Sequence, residues 1–349
     1  MNLRLAFFGS DAFSIHMLNK LVHCKNTHPG LILQLDVVTR SVKPQGRKKL
    51  LIEYPVGDVA ASHGLNIHRA ELKEDFEKIK QQLNPNIIIA ASYGKLIPAS
   101  FIRGLEFGGL NVHPSLLPKW SGPSPLQYTL MNDEKEAGVT VQTLHESKFD
   151  KGDIVLQSDP IPVLDRENFE LLLHKLGAAG ADLLEKTLID GLYSKKESWK
   201  LMQDLTFEYS HAPLINKDSF QINWHNRKNR EILKIEDALG EIHSYVELWS
   251  YDPKGGETSQ TYYVLMKGLR PAARLDERVA SLFSVDPETN NLIINTLDGA
   301  ISVERIKMQF YPWGSGKDFI DHIKQRNKIG SFKYLFKNTR LDQYNDVYK

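Results

Sequence analysis

Cysteine is almost absent: Cys24 is the only one in 349 residues. That excludes an intrachain disulfide and a cysteine-built zinc centre, and it favours a reducing compartment. No metal is expected. Nor is there an apolar run near the roughly 20 residues that cross a bilayer, so no membrane partner is expected either. Charge of one sign is missing too. The 44 Lys+Arg against 43 Asp+Glu leave a formal +1, and nucleic-acid binding has to come from local patches. The opening MNLRLAFFGSDAF lacks a secretory pattern. It reads as a buried strand, with no Arg/Ser-rich presequence ahead of it. Its one glycine, Gly9, stands where a G-x-G-x-x-G fingerprint needs three, which argues against NAD.

What is present is a globular balance, 41% hydrophobic and 25% charged, at a length suited to two domains. Strand-like and helix-like stretches alternate in the first half. Leu3–Gly9, Gln34–Thr39, Ile87–Ser92 and Gly108–His113 read as strands, with a short extended piece at Asn66–Arg69. Asp11–Leu21, Val56–Gly64 and Glu74–Leu83 read as helices between them. IIIAAS is apolar throughout, as in a parallel-sheet strand covered on both faces. The rhythm predicts an open, doubly wound, Rossmann-like α/β sheet. Val139–Leu144 and Ile154–Val163 are two further strand candidates. A long helix is predicted over Glu167–Leu192, with a stripe at Leu171, Leu172, Leu176, Leu183, Leu184 and Leu188.

The pattern then turns polar. Residues 1–194 read as one domain, 195–206 as a linker, 207–336 as a second domain and 337–349 as a basic, polar tail. In the second domain WHNRKNREILKIEDAL and Asp318–Gln325 read as helices, and TYYVLMKGL, RVASLFSV and NLIINTLDGAISVERI as strands. Leu297-Asp298-Gly299 carries a hairpin signal. Short strands and helices in this span fit a small β-barrel of the OB type.

The chemistry concentrates in NVHPSLLPKWSG, Asn111 to Gly122. Residues two apart on a strand face the same side, so Asn111 and His113 project together, at the strand end where open α/β sheets bind ligands. The prolines at 114, 118, 123 and 125 stiffen the loop beyond them. FDKGDIVLQ sets Asp150 just before a Lys-Gly-Asp turn between two strand candidates. On residue type alone His113 is equally a capping histidine and Asp150 a turn former. Taken together, the amide, the imidazole and the carboxylate make an acid/base constellation.

These two stretches resemble the folate-dependent formyltransferases, whose hallmark is Asn-x-His-x-Ser-x-Leu-Pro and a later Asp-x-Gly. The order of YSHAPLINKDSFQINW, NREILKIEDALG and TLDGAISVERIKM is similar to the branch that acts on methionyl initiator tRNA. The likeness covers about Leu3 to Phe336. It implies that 10-formyltetrahydrofolate is the co-substrate and an α-amine the acceptor. Asn111 would hold the oxyanion, with His113 and Asp150 moving the proton; the formal base is either of these or an Asp150-held water. No covalent intermediate is implied, which leaves Cys24 as a small core residue. Folate would lie along Ser92–Pro98 and Ser115–Pro118, against Tyr93, Leu96, Ile97, Ser115, Leu116, Leu117 and Pro118. Plain core packing is the competing reading for any single leucine.

RSVKPQGRKKL has Arg40, Lys43, Arg47, Lys48 and Lys49 and no acid. Such a run is often only a solvated loop. By resemblance it is the basic insertion that reaches the acceptor stem of the tRNA. Bacterial-type members have Arg where Ser121 stands here. His113-Pro114 and Gly122-Pro123 look more like the mitochondrial branch, so the expected location is the mitochondrial matrix, the alternative being a bacterial cytoplasm. The expected state is a monomer. Two competing functions are formyl transfer to a small amine, such as a nucleotide-sugar amine or glycinamide ribonucleotide, and a tRNA-binding module whose enzymatic half has decayed.

Overall fold

The computed structural model describes residues 2–42, 44–45, 49–201, 207–252, 256–275, 279–326 and 336–337. The expected polar tail from residue 338 on, and residues 202–206 of the expected linker, lie outside them. The chain divides into two compact units. The first holds residues 1–129, 134–165 and 170–214, the second 130–133, 166–169 and the chain from Ile215 on.

As far as Leu214 the elements run β1 (Leu3–Gly9), α1 (Ala12–Thr27), β2 (Ile32–Thr39), β3 (Pro44–Gln45), β4 (Leu50–Leu51), α2 (Pro55–Ser62), β5 (Ile67–Arg69), α3 (Lys73–Leu83) and β6 (Ile87–Ala91). Then come α4 (Ala99–Arg103), β7 (Gly109–His113), α5 (Pro125–Met131), β8 (Glu136–Ala137), β9 (Thr140–Thr143), β10 (Ile154–Gln157), β11 (Ile161–Pro162) and α6 (Phe169–Ile189). The main sheet is seven-stranded, in the order β10-β9-β7-β6-β1-β2-β5. β1 lies parallel to β2 and β6, β2 to β5, and β6 to β7. The order reverses between β1 and β6, which opens a crevice at the carboxyl ends of the strands. β6, the IIIAA run, is buried at every position. Helix α1 starts where Asp11 accepts from the Ser14 amide at 3.1 Å and Ser14 Oγ accepts from the Asp11 amide at 3.0 Å, a reciprocal cap for two of the helix's free N–H groups.

The doubly wound expectation holds, with local differences. β9 runs antiparallel to β7, and β10 antiparallel to β9, because the chain returns through a turn rather than a crossover helix. The expected strand at Ile154–Val163 is split into β10 and β11. Pro160 has no N–H to give a ladder, and the Ser158 amide turns to the Val139 carbonyl instead, at 2.9 Å. In α6 the buried stripe is Leu172, Leu173, Leu176, Leu184 and Leu188, while Leu171 is 58% exposed. Leu172, Leu176, Leu184 and Leu188 of the expected stripe are buried, and Leu173 takes the place of Leu171. Gly177 and Gly180 bring it close to α1, where a Cβ at Gly177 would sit 2.4 Å from the His16 ring.

The second unit contains α7 (Asn229–Leu239), β12 (Ile242–Asp252), β13 (Gly256–Ala272), β14 (Phe283–Val285), β15 (Leu292–Asn295), β16 (Ala300–Met308), α8 (Gly316–Arg326) and β17 (Phe336–Lys337). Its antiparallel sheet is six-stranded, in the order β14-β15-β16-β13-β12-β17. The two ends meet: the Phe336 amide donates to the Ser281 carbonyl at 3.2 Å, just before β14. The sheet therefore curls into a barrel of OB type, around a core that includes Trp224, Met266, Phe283 and Phe319. The Leu297-Asp298-Gly299 hairpin forms between β15 and β16. Arg166 bridges Asp237 at 2.8 Å and Glu236 at 3.1 Å, fixing α7.

One glycine of the main sheet allows no substitution. A Cβ on Gly152 would lie 1.7 Å from the Thr143 carbonyl oxygen, so the turn between β9 and β10 closes only without a side chain. Gly152→Ala should destabilise the fold by about 2–4 kcal/mol, the range of forced core clashes. Gly64→Ala is the control. Gly64 has a φ of +66, and a Cβ there would meet nothing within 4 Å, so only backbone strain of about 1 kcal/mol is expected. Urea denaturation of the two variants checks the contrast.

Candidate active site

β7 ends on the hallmark. In register, Asn111 lies opposite Ala90 of β6 on one side and Gln142 of β9 on the other, while His113 lies opposite Thr140. Residues directly opposite share a face, so Asn111, His113, Gln142 and Thr140 crowd the same side of the sheet end. The turn after β9 then brings Asp150 back over them. Asp150 has a φ of +50, a left-handed conformation that Asp tolerates better than most residues.

Asp150 is the hub. Its Oδ1 accepts from Asn111 Nδ2 at 3.4 Å and from Gln142 Nε2 at 3.2 Å, and its Oδ2 accepts from the Gly122 amide at 2.9 Å. His113 Nδ1 stands 3.4 Å from Oδ1, and the His113 and Asp150 side chains are only 7% and 9% exposed. On the other edge of the ring, His113 Nε2 donates to the Trp120 carbonyl at 3.1 Å. A carbonyl only accepts, so Nε2 carries a hydrogen. Nδ1 and Oδ1 then meet attractively only with one proton shared between them. The structure thus brings Asn111, His113 and Asp150 into one cluster.

Sequence reasoning missed three supports of this cluster. Gln142 also accepts from the Gly152 amide at 3.2 Å, which ties the Asp150 turn to β9. Trp120 and Gly122 act through the backbone, with φ of +53 and +129. Only Gly122 carried a sequence signal for such a conformation.

The expected folate residues fall into two groups. Leu96 is 41% exposed. Tyr93, Ile97, Ser115, Leu116 and Leu117 are buried, as is Pro118. The Tyr93 ring packs edge-on against Phe8 and Phe76, and its hydroxyl bonds the Ala70 carbonyl. Burial pushes that phenol's pKa up. What the Ser92–Pro98 loop offers a ligand is therefore its backbone and the exposed Ser92, Lys95 and Leu96. The buried Ser115 hydroxyl has no hydrogen-bond partner. Thr140 Oγ1 bonds the Ser115 carbonyl at 2.7 Å and accepts from the Leu117 amide at 3.1 Å, fixing the backbone of SLLP. Beside the Asp150 turn lies a cleft of about 540 Å³ lined by Ala99, Arg103, the Thr143–Ser147 stretch and Lys151–Asp153. Its size is that of a small-molecule site, and its lining was not anticipated. Cys24 is buried. Its thiol pKa is pushed up to about 12, chiefly by burial and then by the neighbouring Glu185, so it is no nucleophile at neutral pH.

Of the basic stretch, Lys43, Arg47 and Lys48 lie outside the described residues. Lys49 is exposed in a turn. Arg40 lies over the Tyr54 ring at 5.0 Å. Its buried Nε has no hydrogen-bond partner, and its guanidinium carbon is 3.8 Å from where a Gly94 side chain would begin. The structure therefore places Arg40 against the Ser92–Pro98 loop. Among the described residues no group of three or more His, Cys, Asp or Glu is poised for a metal ion.

The geometry has counterparts among known proteins. Residues 3–188 match the family described as Formyl transferase. The mitochondrial methionyl-tRNA formyltransferase of Saccharomyces cerevisiae is 29% identical, over 96% of this chain and 92% of that protein. The methionyl-tRNA formyltransferase of Caldicellulosiruptor saccharolyticus is 34% identical, over 92% of this chain and 97% of that one. In fold the chain is similar to HypX from Aquifex aeolicus, solved in complex with tetrahydrofolic acid. That likeness has a TM-score of 0.55 at 13% identity and covers 95% of this chain and 50% of HypX. With the family profile and near full-length relatives in agreement, this chain belongs to the formyl transferase family.

Proposed function

We propose that this chain transfers the formyl group of 10-formyltetrahydrofolate to the α-amino group of methionyl initiator tRNA. The observation that carries the reading is the convergence of Asn111 and His113 on the Asp150 carboxylate, in a chain whose near full-length relatives are methionyl-tRNA formyltransferases. The neutral amine attacks the formyl carbon and a new C–N bond forms. The carbonyl electrons move to oxygen, giving a tetrahedral oxyanion. Asn111 spends one N–H on Asp150 and keeps a second for that oxygen. Both His113 nitrogens face protein acceptors, so its proton traffic runs through Nδ1 and Asp150 Oδ1. Asp150 takes the proton from the amine, and the proton shared with His113 is delivered to the leaving folate nitrogen as the old C–N bond breaks.

The folate lies along Ser92–Pro98 and Ser115–Pro118, its pterin against the backbone of these stretches. Arg40 and Lys49, with Lys43, Arg47 and Lys48, take phosphates of the acceptor stem. The C-terminal barrel, counted from residue 207 to 336, supplies a general electrostatic hold on the tRNA, and the enzyme works as a monomer. His113-Pro114, Gly122-Pro123 and the yeast mitochondrial relative favour the mitochondrial matrix as its location.

The direct test mixes purified protein, 10-formyltetrahydrofolate and Met-charged initiator tRNA, with Met-charged elongator tRNA as control. Formylation of the initiator alone is expected. Transfer only to nucleotide-sugar amines or glycinamide ribonucleotide would replace the acceptor, and no transfer at all would favour a binding module. Asn111→Ala should lower kcat by roughly 100-fold or more, the value of an oxyanion donor; an unchanged kcat removes Asn111 from the mechanism. Arg40→Ala should weaken tRNA binding and reduce its salt slope by about one, with folate binding intact. If folate binding falls instead, Arg40 belongs to the folate site along Ser92–Pro98 and not to the tRNA path.

A further inference from the structure

The hallmark loop is held from outside itself. Residues Tyr209–Ala212, far along the chain from the hallmark, lie along it in parallel, with an isolated bridge between Ser121 and His211. The Ser210 amide donates to the Pro118 carbonyl at 3.4 Å, and the Ser121 amide to the Ser210 carbonyl at 3.0 Å. The Ala212 amide donates to the Ser121 carbonyl at 2.8 Å, and the Ser124 amide to the Ala212 carbonyl at 3.2 Å. Two side chains add to the ladder. The Trp120 amide donates to Ser210 Oγ at 2.8 Å. His211 Nδ1 donates to the Ser121 carbonyl at 2.7 Å. The same segment reaches the other loop of the site, where Lys151 Nζ stands 4.0 Å from the centre of the Tyr209 ring.

The grip falls on the two residues that orient the reactive pair. Trp120 presents its carbonyl to His113 and Gly122 its amide to Asp150. Trp120 does so from a left-handed backbone with φ of +53. A non-glycine residue holds such a conformation only where its surroundings over-determine it. Ser210 supplies that constraint directly, since its hydroxyl fixes the Trp120 amide one peptide away from the carbonyl that His113 uses. Gly122 is closed in from the same side, where a Cβ would lie 2.6 Å from the Ala212 carbonyl.

We infer that Ser210 is a positioning residue for the formyl transfer, acting through Trp120 on His113, and that Tyr209–Ala212 is a strap that sets the geometry of the Asn111–His113–Asp150 cluster. This rests on the proposed transfer and goes beyond it. From Ile215 on the chain belongs to the second unit, so the strap lies two residues before the end of the first unit.

The test compares wild type, Ser210→Ala, Ser210→Thr and Asn111→Ala for kcat, KM of both substrates and the pH profile of kcat. Ser210→Ala should lower kcat by roughly 10- to 100-fold, the cost of a small misplacement, with both KM values held. It should also displace the pH limb that reports the His113–Asp150 pair. Ser210→Thr keeps the hydroxyl and should restore both. The inference is overturned if Ser210→Ala leaves kcat and the pH limb unchanged, or if Ser210→Thr fails as Ser210→Ala does while circular dichroism shows both folded. Asn111→Ala separates the layers. If it collapses kcat while Ser210→Ala does not, only the strap fails. If neither changes kcat, the catalytic assignment itself fails.

Discussion

A single buried carboxylate organises the site. Asp150 accepts from Asn111, Gln142 and the Gly122 amide and faces the His113 ring. Those groups come from β7, from its sheet neighbour β9 and from the hallmark loop, and the carboxylate ties the three together. A charge at low exposure is tolerable only when its lone pairs are met, and each of these elements supplies a donor. The same requirement explains the turn that carries Asp150. Gly152 must be glycine because the backbone presses on the Thr143 carbonyl. The left-handed Asp150 lets the chain reverse while its carboxylate points back at the sheet.

The sheet supplies the rigid frame. β6 is apolar on both faces, which lets β1 and β7 flank it as parallel neighbours and sets their carboxyl ends side by side. The reversal of strand order beside β1 opens the crevice, and the antiparallel β9 then brings Gln142 level with Asn111. β9 ends at Thr143 beside Leu110, and the turn that follows folds back so that the Asp150 carboxylate reaches Asn111 and Gln142.

Much of this was legible from residues. The IIIAAS run and the alternation of strand and helix gave the parallel sheet. The i, i+2 spacing of Asn111 and His113 and the Lys-Gly-Asp turn pointed to the cluster that Asn111, His113 and Asp150 form. What was not legible depends on backbone atoms, which carry no side-chain signature: the Trp120 carbonyl, the Gly122 amide and the backbone ladder of the Tyr209–Ala212 strap. Tyr93 shows where residue type and placement part. Its type suits a ligand wall, but its ring is held in the core by Phe8 and Phe76. The strand β12 was overlooked although Ile242, Ser244, Val246 and Leu248 alternate toward the barrel core, a period-2 signal partly masked by the aromatic residues between them. In α6 the extra leucine at 171 hid which of two neighbouring stripes the helix buries.

The central claim is that the Asp150 charge, more than its shape, runs the chemistry. Asp150→Asn tests it most directly. Asparagine is nearly isosteric and tolerates the left-handed backbone, so the turn should persist while the charge and the shared proton are lost. Single-turnover formyl transfer and folate binding are measured on the same preparation. The account predicts a transfer rate lower by roughly 100-fold or more with folate binding retained. A near wild-type rate in a folded, folate-binding Asp150→Asn protein would contradict it.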